Sequence, residues 1–503
     1  MTSPMPTSTK RKPAQSAEHP AEETLDPEDW DEVRRLGHRM VDDVLEYLRT
    51  VRERPTWQRP PEAVRARLRG PAPRAPEGAE RAYRDFVENV LPYPSGNIHP
   101  RFWGWVMGTG TPFTVLAEML AAAVNPNVSG FDDGASLVED QVLAWLREVM
   151  GFPETAGGLL VSGGSIANLV GLAVARHTSA GFDVRRLGQG SAPKRMTLYA
   201  SRETHNSVLK AVDLLGLGRD ALRLLPVDRE FRIDLAALRA AVAADRAAGL
   251  QPFAVVGNAG TVNTGATDDL AALADFAAEE GLWLHVDGAF GALAALAPGL
   301  RPRLAGMERA DSLAFDLHKW GYFPYEVGCT LVRDGSHQRG AFTAGADYLA
   351  PVEGGVAGRP DRYADRGPQL SRGFRALKVW MGLKAEGTDK LGRLIQQNVD
   401  QAAHLAAGID GTPELERLAP APLNVVCFRY VGARPADLDA LNRSLLARLH
   451  EDGIAVPSHT MLGGRFALRV AIVNHRTRRE DLDLLVRETV RRGRALEDEH
   501  GRS

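Results

Sequence analysis

The chain has 503 residues, with 61 Lys and Arg against 64 Asp and Glu and a formal net charge of −3. That near balance argues against an electrostatic footprint for nucleic acid or an anionic membrane, and leaves small-molecule chemistry as the expectation. Cys329 and Cys427 stand far apart with no Cys-x-x-Cys or Cys/His zinc spacing, so neither a disulfide framework nor a structural metal is expected. No apolar run is long enough to span a bilayer and no signal-type apolar core opens the chain, so a cytoplasmic location is expected.

In chain order, residues 1–26 are rich in Pro, Ser, Thr, Lys and Glu and predict a disordered tail. From Pro27 an acidic first turn (Glu28, Asp29, Asp31) leads into Val33, Leu36, Met40, Val44, Tyr47 and Leu48 at helical spacing. This amphipathic helix opens a helical segment, 27–112, which a Pro- and Arg-rich stretch interrupts at Pro55–Pro76. From Phe113 to about Arg333 short apolar runs alternate with Ala/Leu-rich helical segments such as Asp268–Glu280. The runs are Gly158–Val161, Met196–Ala200, Ala254–Gly257, Leu282–Asp287 and Thr330–Val332. The alternation predicts a large α/β domain, 113–376, built on a mostly parallel sheet with ligands at the carboxyl ends of its strands. Gly335–Gly367 reads as a long irregular loop, functional or mobile. A helix restarts at Leu370, and 377–503 reads as a smaller α+β domain with strands at Val425–Tyr430 and Phe466–Val470.

Three places carry chemistry. Lys319 follows the apolar run Asp311–Leu317, which carries it toward the core, where desolvation lowers a lysine's pKa and makes its amine nucleophilic. Asp287 ends the run Trp283–Asp287 at the edge where ligands bind. Leu160–Asn168 reads as strand, glycine turn and helix start, whose N–H groups suit a dianionic phosphate at Gly164, Ser165 and Ile166. Taken alone, the three also read as a surface or interface lysine, a helix-capping aspartate and an ordinary glycine turn.

Together, Trp283-Leu-His-Val-Asp-Gly-Ala289 and Ser312-Leu-Ala-Phe-Asp-Leu-His-Lys-Trp320 resemble the group II PLP-dependent decarboxylases, the family of aromatic-amino-acid and glutamate decarboxylases, from about Asp26 to the last helices. The resemblance implies PLP-dependent transferase fold type I: a mostly parallel central sheet, an N-terminal helical dimerisation segment and a C-terminal α+β domain, in a homodimer with active sites at the interface. It implies pyridoxal 5′-phosphate (PLP) bound covalently to Lys319, its ring nitrogen kept protonated by Asp287, its phosphate held by Gly164, Ser165, Ile166 and His318, and its ring between His205 and Ala289. The turn Gly260–Gly265, with Asp268, matches the family pattern, which implies a cofactor contact at Thr261; Val262 replaces the pattern's second threonine, so no hydroxyl contact is expected there. Asp316 stands where the aromatic branch has Asn. Because a carboxylate repels phosphate, Asp316 is expected to face backbone donors instead.

Tyr348 matches a family tyrosine that protonates Cα after CO₂ departs, and a tyrosine there favours amine over aldehyde. The substrate cues conflict. His99–Trp105 resembles a pocket-lining segment in which Trp103 and Trp105 sandwich an aromatic ring, Asn127 points to the glutamate branch, and Ser371 points to phenolic substrates. Arg469 meets a substrate carboxylate or makes a structural ion pair. The reading is decarboxylation of an L-amino acid to amine and CO₂, with an aromatic, phenolic substrate favoured. The alternatives are aldehyde formation by oxidative deamination and decarboxylation of an acidic amino acid.

Overall fold

Short, near-continuous apolar runs in the middle of the chain build a sheet that is buried on both faces. The computed structural model describes residues 23–345, 354–432 and 437–500. By contacts the chain divides into Met1–Arg49 and Thr50–Ser503. The first unit contains the helix Trp30–Arg49, which begins where Asp29 Oδ1 accepts from the N–H groups of Asp31 and Glu32. Only Leu36 in it is buried; Trp30, Val33, Met40 and Leu45 are exposed.

Among its described residues the second unit contains twelve strands: β1 (Phe102–Trp103), β2 (Gly157–Val161), β3 (Met196–Ser201), β4 (Leu222–Leu225), β5 (Gln251–Asn258), β6 (Trp283–Asp287), β7 (Ser312–Asp316), β8 (Gly328–Val332), β9 (Leu415–Arg417), β10 (Val425–Tyr430), β11 (Val456–Leu462) and β12 (Arg465–Ala471). Seven form one sheet in the order β2-β8-β7-β6-β5-β3-β4, in which only β8 runs antiparallel to its neighbours. Leu198, Ala200, Ala254 and Val256 pack with Leu172 and Val174 of the helix Gly164–Ser179. Tyr199, Val255, Leu284 and Val286 pack instead with Leu273 and Phe276 of the helix Leu270–Glu280. Successive strand residues thus serve opposite faces.

The other five strands form the sheet β1-β11-β12-β10-β9. Its core includes Phe428, Leu445, Leu468 and Leu485. Two expectations about organisation differ from what is observed. β1, from the expected helical segment, pairs in parallel with β11 of the C-terminal sheet, and the expected boundary at 376 falls inside the helix Arg375–Asp410. Part of Gly335–Gly367 is regular: Asp334 caps a helix, Gly335–Phe342, by accepting from Ser336 N–H at 2.8 Å.

Arg372 and Glu139, both side chains fully buried, tie this scaffold together at 2.5 Å. Arg372 also donates to the carbonyls of Val128 and Leu160, and Glu139 accepts from the Leu160 N–H. Arg372→Met leaves a buried carboxylate uncompensated, and should lower unfolding stability by about 3–5 kcal/mol, read as a lower urea midpoint.

Candidate active site

The parallel strands end along one edge, and the residues just past those ends converge there. β6 delivers Asp287, β7 delivers Asp316, and the turn after β7 delivers His318 and Lys319. β3 leads to His205 at the cap of the helix Asn206–Leu214, and β2 leads through Ser162 and Gly163 into the helix Gly164–Ser179.

Two cavities meet at these residues. One, of about 380 Å³, is lined by Ser162–Ile166, Asp316, His318 and Tyr325. The other, of about 220 Å³, is lined by Trp105, Val262, Asp287, Phe290, His459 and Arg469. His205, Ala289 and Lys319 line both. No side chain caps the helix at Gly164, and its first residues, Gly164, Ser165 and Ile166, line the larger cavity, the Ile166 N–H donating to the Gly163 carbonyl at 2.9 Å. The turn is closely packed: a Cβ on Gly163 would lie 3.1 Å from the His318 ring, and one on Gly164 2.9 Å from Asp316 Oδ2.

Asp287 is 4% exposed; Asn168 Nδ2 donates to its Oδ2 at 2.9 Å and the Ala289 N–H to its Oδ1 at 3.1 Å. Lys319 Nζ lies 2.8 Å from Asp316 Oδ2. Burial pulls the lysine's pKa down, but Asp316, and behind it Asp287, outweigh that and hold it above its ordinary value. The expected depressed lysine is therefore corrected: the sequence reading placed the amine in the core without the carboxylate three residues before it. The expectation that Asp316 faces backbone donors is corrected too, because Oδ2 meets Lys319 and buried Oδ1 has no hydrogen-bond partner.

His205 and His318 are held below the ordinary imidazole pKa, chiefly by burial. Asp287 opposes this at His205 and Asp316 at His318. His318 Nδ1 accepts from the Val327 N–H at 3.1 Å, and its ring packs on Tyr325 with centroids 4.3 Å apart.

Arg469 is 3% exposed; Nη1 donates to the Trp105 carbonyl and Ser458 Oγ, and Nε donates to the Asn263 carbonyl. Nη2 has no partner, and no carboxylate pairs with this guanidinium among the described residues. Trp105 reaches it from a left-handed backbone conformation, φ 53°.

Other expected residues lie elsewhere. Trp103 is 1% exposed, donates to Thr477 Oγ1 and packs in the C-terminal core, so it is not at the substrate cavity. Thr261 turns its hydroxyl into its own turn, receiving the Ala266 N–H, and lines neither cavity. Asn127 and Ser371 are exposed and line neither. Tyr348 lies outside the described residues.

The donor set fits PLP: an uncapped helix terminus for a phosphate, an amine for its aldehyde, a buried carboxylate for a cationic ring nitrogen, and a flat imidazole with a small alanine at the same cavities. A profile described as the pyridoxal-dependent decarboxylase conserved domain matches residues 61–431. The chain belongs to the pyridoxal-dependent decarboxylase family.

It is 33% identical over 458 residues, 90% of this chain and 93% of the relative, to an aromatic-L-amino-acid decarboxylase of Bacillus atrophaeus. To an L-2,4-diaminobutyrate decarboxylase of Rhizobium meliloti (strain 1021) it is 35% identical over 392 residues, 77% of each chain. The crystal structure of Oryza sativa TDC with PLP and tryptamine superimposes with TM-score 0.84 at 29% identity, covering 93% of this chain and 99% of that one. This decarboxylase is therefore a PLP-dependent carboxy-lyase of fold type I acting on an amino acid.

Sequence reasoning passed over Asn168, although it lies in the quoted glycine-turn motif, and Tyr325, for which the local sequence carried no signal. Because Asp316 keeps Lys319 protonated, Asp316→Asn should lower the lysine's pKa and enlarge the neutral, nucleophilic fraction. The pH profile of PLP capture by the cofactor-free decarboxylase, read as borohydride-trapped pyridoxyl label on Lys319, should move to lower pH by about one unit or more.

Proposed function

We propose that this decarboxylase converts an aromatic, phenolic L-amino acid to its amine, with release of CO₂. When bound, PLP supplies an electron-accepting ring for the pair of electrons left on Cα as CO₂ departs. Lys319 holds the cofactor and later frees the product, Asp287 stabilises the cationic ring nitrogen, and His205 packs on the ring face. Gly164, Ser165, Ile166 and His318 hold the phosphate. Arg469 binds the substrate carboxylate, and the observation that carries the reading is its guanidinium, buried without a carboxylate at the cavity it shares with Lys319.

Trp105, Val262 and Phe290 give that cavity apolar walls, and its one acidic residue, Asp287, already accepts two N–H groups. This supports an aromatic side chain over a cationic one. Tyr348 moves a proton to Cα, which directs the outcome to amine rather than aldehyde.

The test is a panel of the twenty amino acids and L-DOPA, with CO₂, amine and peroxide read in parallel. Tyrosine or L-DOPA should give amine and CO₂ without peroxide; preferential turnover of glutamate, aspartate or diaminobutyrate rejects the substrate class. Tyr348→Phe should cut amine formation about 100-fold and raise peroxide.

The decarboxylase functions as a homodimer. The helix Pro112–Val124 leaves Phe113, Met119, Leu120 and Val124 exposed, a face suited to burial against a second copy. Light scattering should give twice the chain mass.

A further inference from the structure

β6 places Trp283, His285 and Asp287 at alternate positions, on one face of the sheet. In the register of β6 with β7, His285 lies opposite Ser312. The helix Gly164–Ser179 crosses this face with Asn168 and, one turn on, Gly171. A Cβ on Gly171 would lie 2.6 Å from His285 Cε1 and 3.2 Å from Ser312 Oγ, so glycine leaves the imidazole and hydroxyl their space. Trp283 Nε1 to Ser312 Oγ is 2.8 Å, Ser312 Oγ to His285 Nδ1 2.8 Å, and His285 Nε2 to Asn168 Oδ1 2.9 Å. Asn168 Nδ2 then lies 2.9 Å from both Asp287 Oδ2 and Ser207 Oγ, and Ser207 Oγ 2.8 Å from His205 Nδ1.

The hydrogens in this chain have one consistent arrangement. Trp283 Nε1–H can only donate and the Asp287 carboxylate can only accept, so Asn168 turns Nδ2 to Asp287 and Oδ1 to His285 Nε2–H, which leaves Nδ1 as the acceptor of the Ser312 hydroxyl proton. His285, fully buried and held neutral by desolvation with a pKa of about 3, carries its proton on Nε2 and donates to Asn168 Oδ1. That orients the amide: both Nδ2 hydrogens point away from His285, one to Asp287 and one to Ser207. Ser207 Oγ, having accepted, donates to His205 Nδ1, which also receives the Ser207 N–H at 3.2 Å. His205 is left with its ring proton on Nε2.

We propose that this buried relay, Trp283–Ser312–His285–Asn168, positions the two groups that meet the cofactor ring, orienting an N–H donor onto Asp287 in one branch and selecting the Nε2–H tautomer of His205 in the other. Ser312, His285, Asn168 and Ser207 are positioning residues, and the relay rests on the assignment of Asp287 to the ring nitrogen. Without the Ser312 hydroxyl, His285 is free to hold its proton on Nδ1. Its Nε2 lone pair then opposes Asn168 Oδ1, and the amide relieves this by turning that oxygen toward the Asp287 carboxylate, which removes the donor and adds repulsion.

The experiment titrates the full-length, cofactor-free decarboxylase with PLP and with its 1-deaza analogue, in which carbon replaces the ring nitrogen, by visible absorbance and circular dichroism. Ser312→Ala should weaken PLP binding about tenfold while leaving the analogue within about twofold, since the lost hydrogen bond acts on a charged partner that only PLP engages. Ser312→Thr, which keeps the hydroxyl, should restore PLP binding. Ser207→Ala cuts only the His205 branch, and should change the circular dichroism of bound PLP without changing the PLP-to-analogue ratio. If Ser312→Ala does not fold, His285→Phe, which keeps a flat ring but neither nitrogen, carries the same prediction.

Equal weakening of both ligands, or of neither, overturns the relay. Asp287→Asn separates the two levels of the argument. If it keeps the preference for PLP over the analogue, the ring-nitrogen assignment falls; if it loses that preference and Ser312→Ala does not, the relay alone falls.

Discussion

Charge buried at the carboxyl edge of the sheet is the constraint on which the site is built. Asp287, Asp316 and Arg469 are each less than a twentieth exposed, and a charge held that far from water must be matched by dipoles, hydrogen bonds or an opposite charge. The three are matched differently. Asp316 takes the Lys319 ammonium, Asp287 takes two N–H donors, and Arg469 takes two carbonyls and a hydroxyl. Of the three, only Asp316 meets an opposite charge among the described residues, and the arginine, with an unpartnered Nη2 at the cavity, is the group proposed to receive a substrate carboxylate.

The scaffold imposes this placement through register. In β6 the period of two sends Trp283, His285 and Asp287 to one side while Leu284 and Val286 pack against the helix Leu270–Glu280. A slip of one residue would put the carboxylate into that apolar layer, and the desolvation cost forbids it. Parallel connections bring the ends of β3, β5, β6 and β7 to the same edge, and the helix after β2 adds an uncapped N-terminus there. The groups proposed to hold the phosphate, the aldehyde, the ring nitrogen and the ring face thus come from separate strands.

Much of this organisation was legible in order along the chain. β2, β3, β6, β10 and β12 lie within a residue or two of their expected positions, because apolar runs bounded by turn residues are a local signal. His205, Ala289, Asp287, His318, Lys319 and the Gly164 turn, read from motifs, stand together at the two joined cavities. Trp103 was misread for a physical reason: an aromatic cluster has the same local appearance whether it faces a ligand or a core, and pairing of β1 with β11 sends this ring into the core.

The sequence by itself determined the secondary-structure alternation, since propensity and period are properties of neighbouring residues, and the resemblance of its motifs carried the family and the cofactor. The tertiary structure alone decided the charge states and partnerships. It raised Lys319 where burial in isolation would lower it, because Asp316 is folded back onto its amine. It also joined Trp283, Ser312, His285 and Asn168 in one hydrogen-bonded line, drawn from β6, β7 and the helix after β2. Electrostatic and hydrogen-bond energies depend on distance in space, and a one-dimensional string does not contain those distances until its strands are paired.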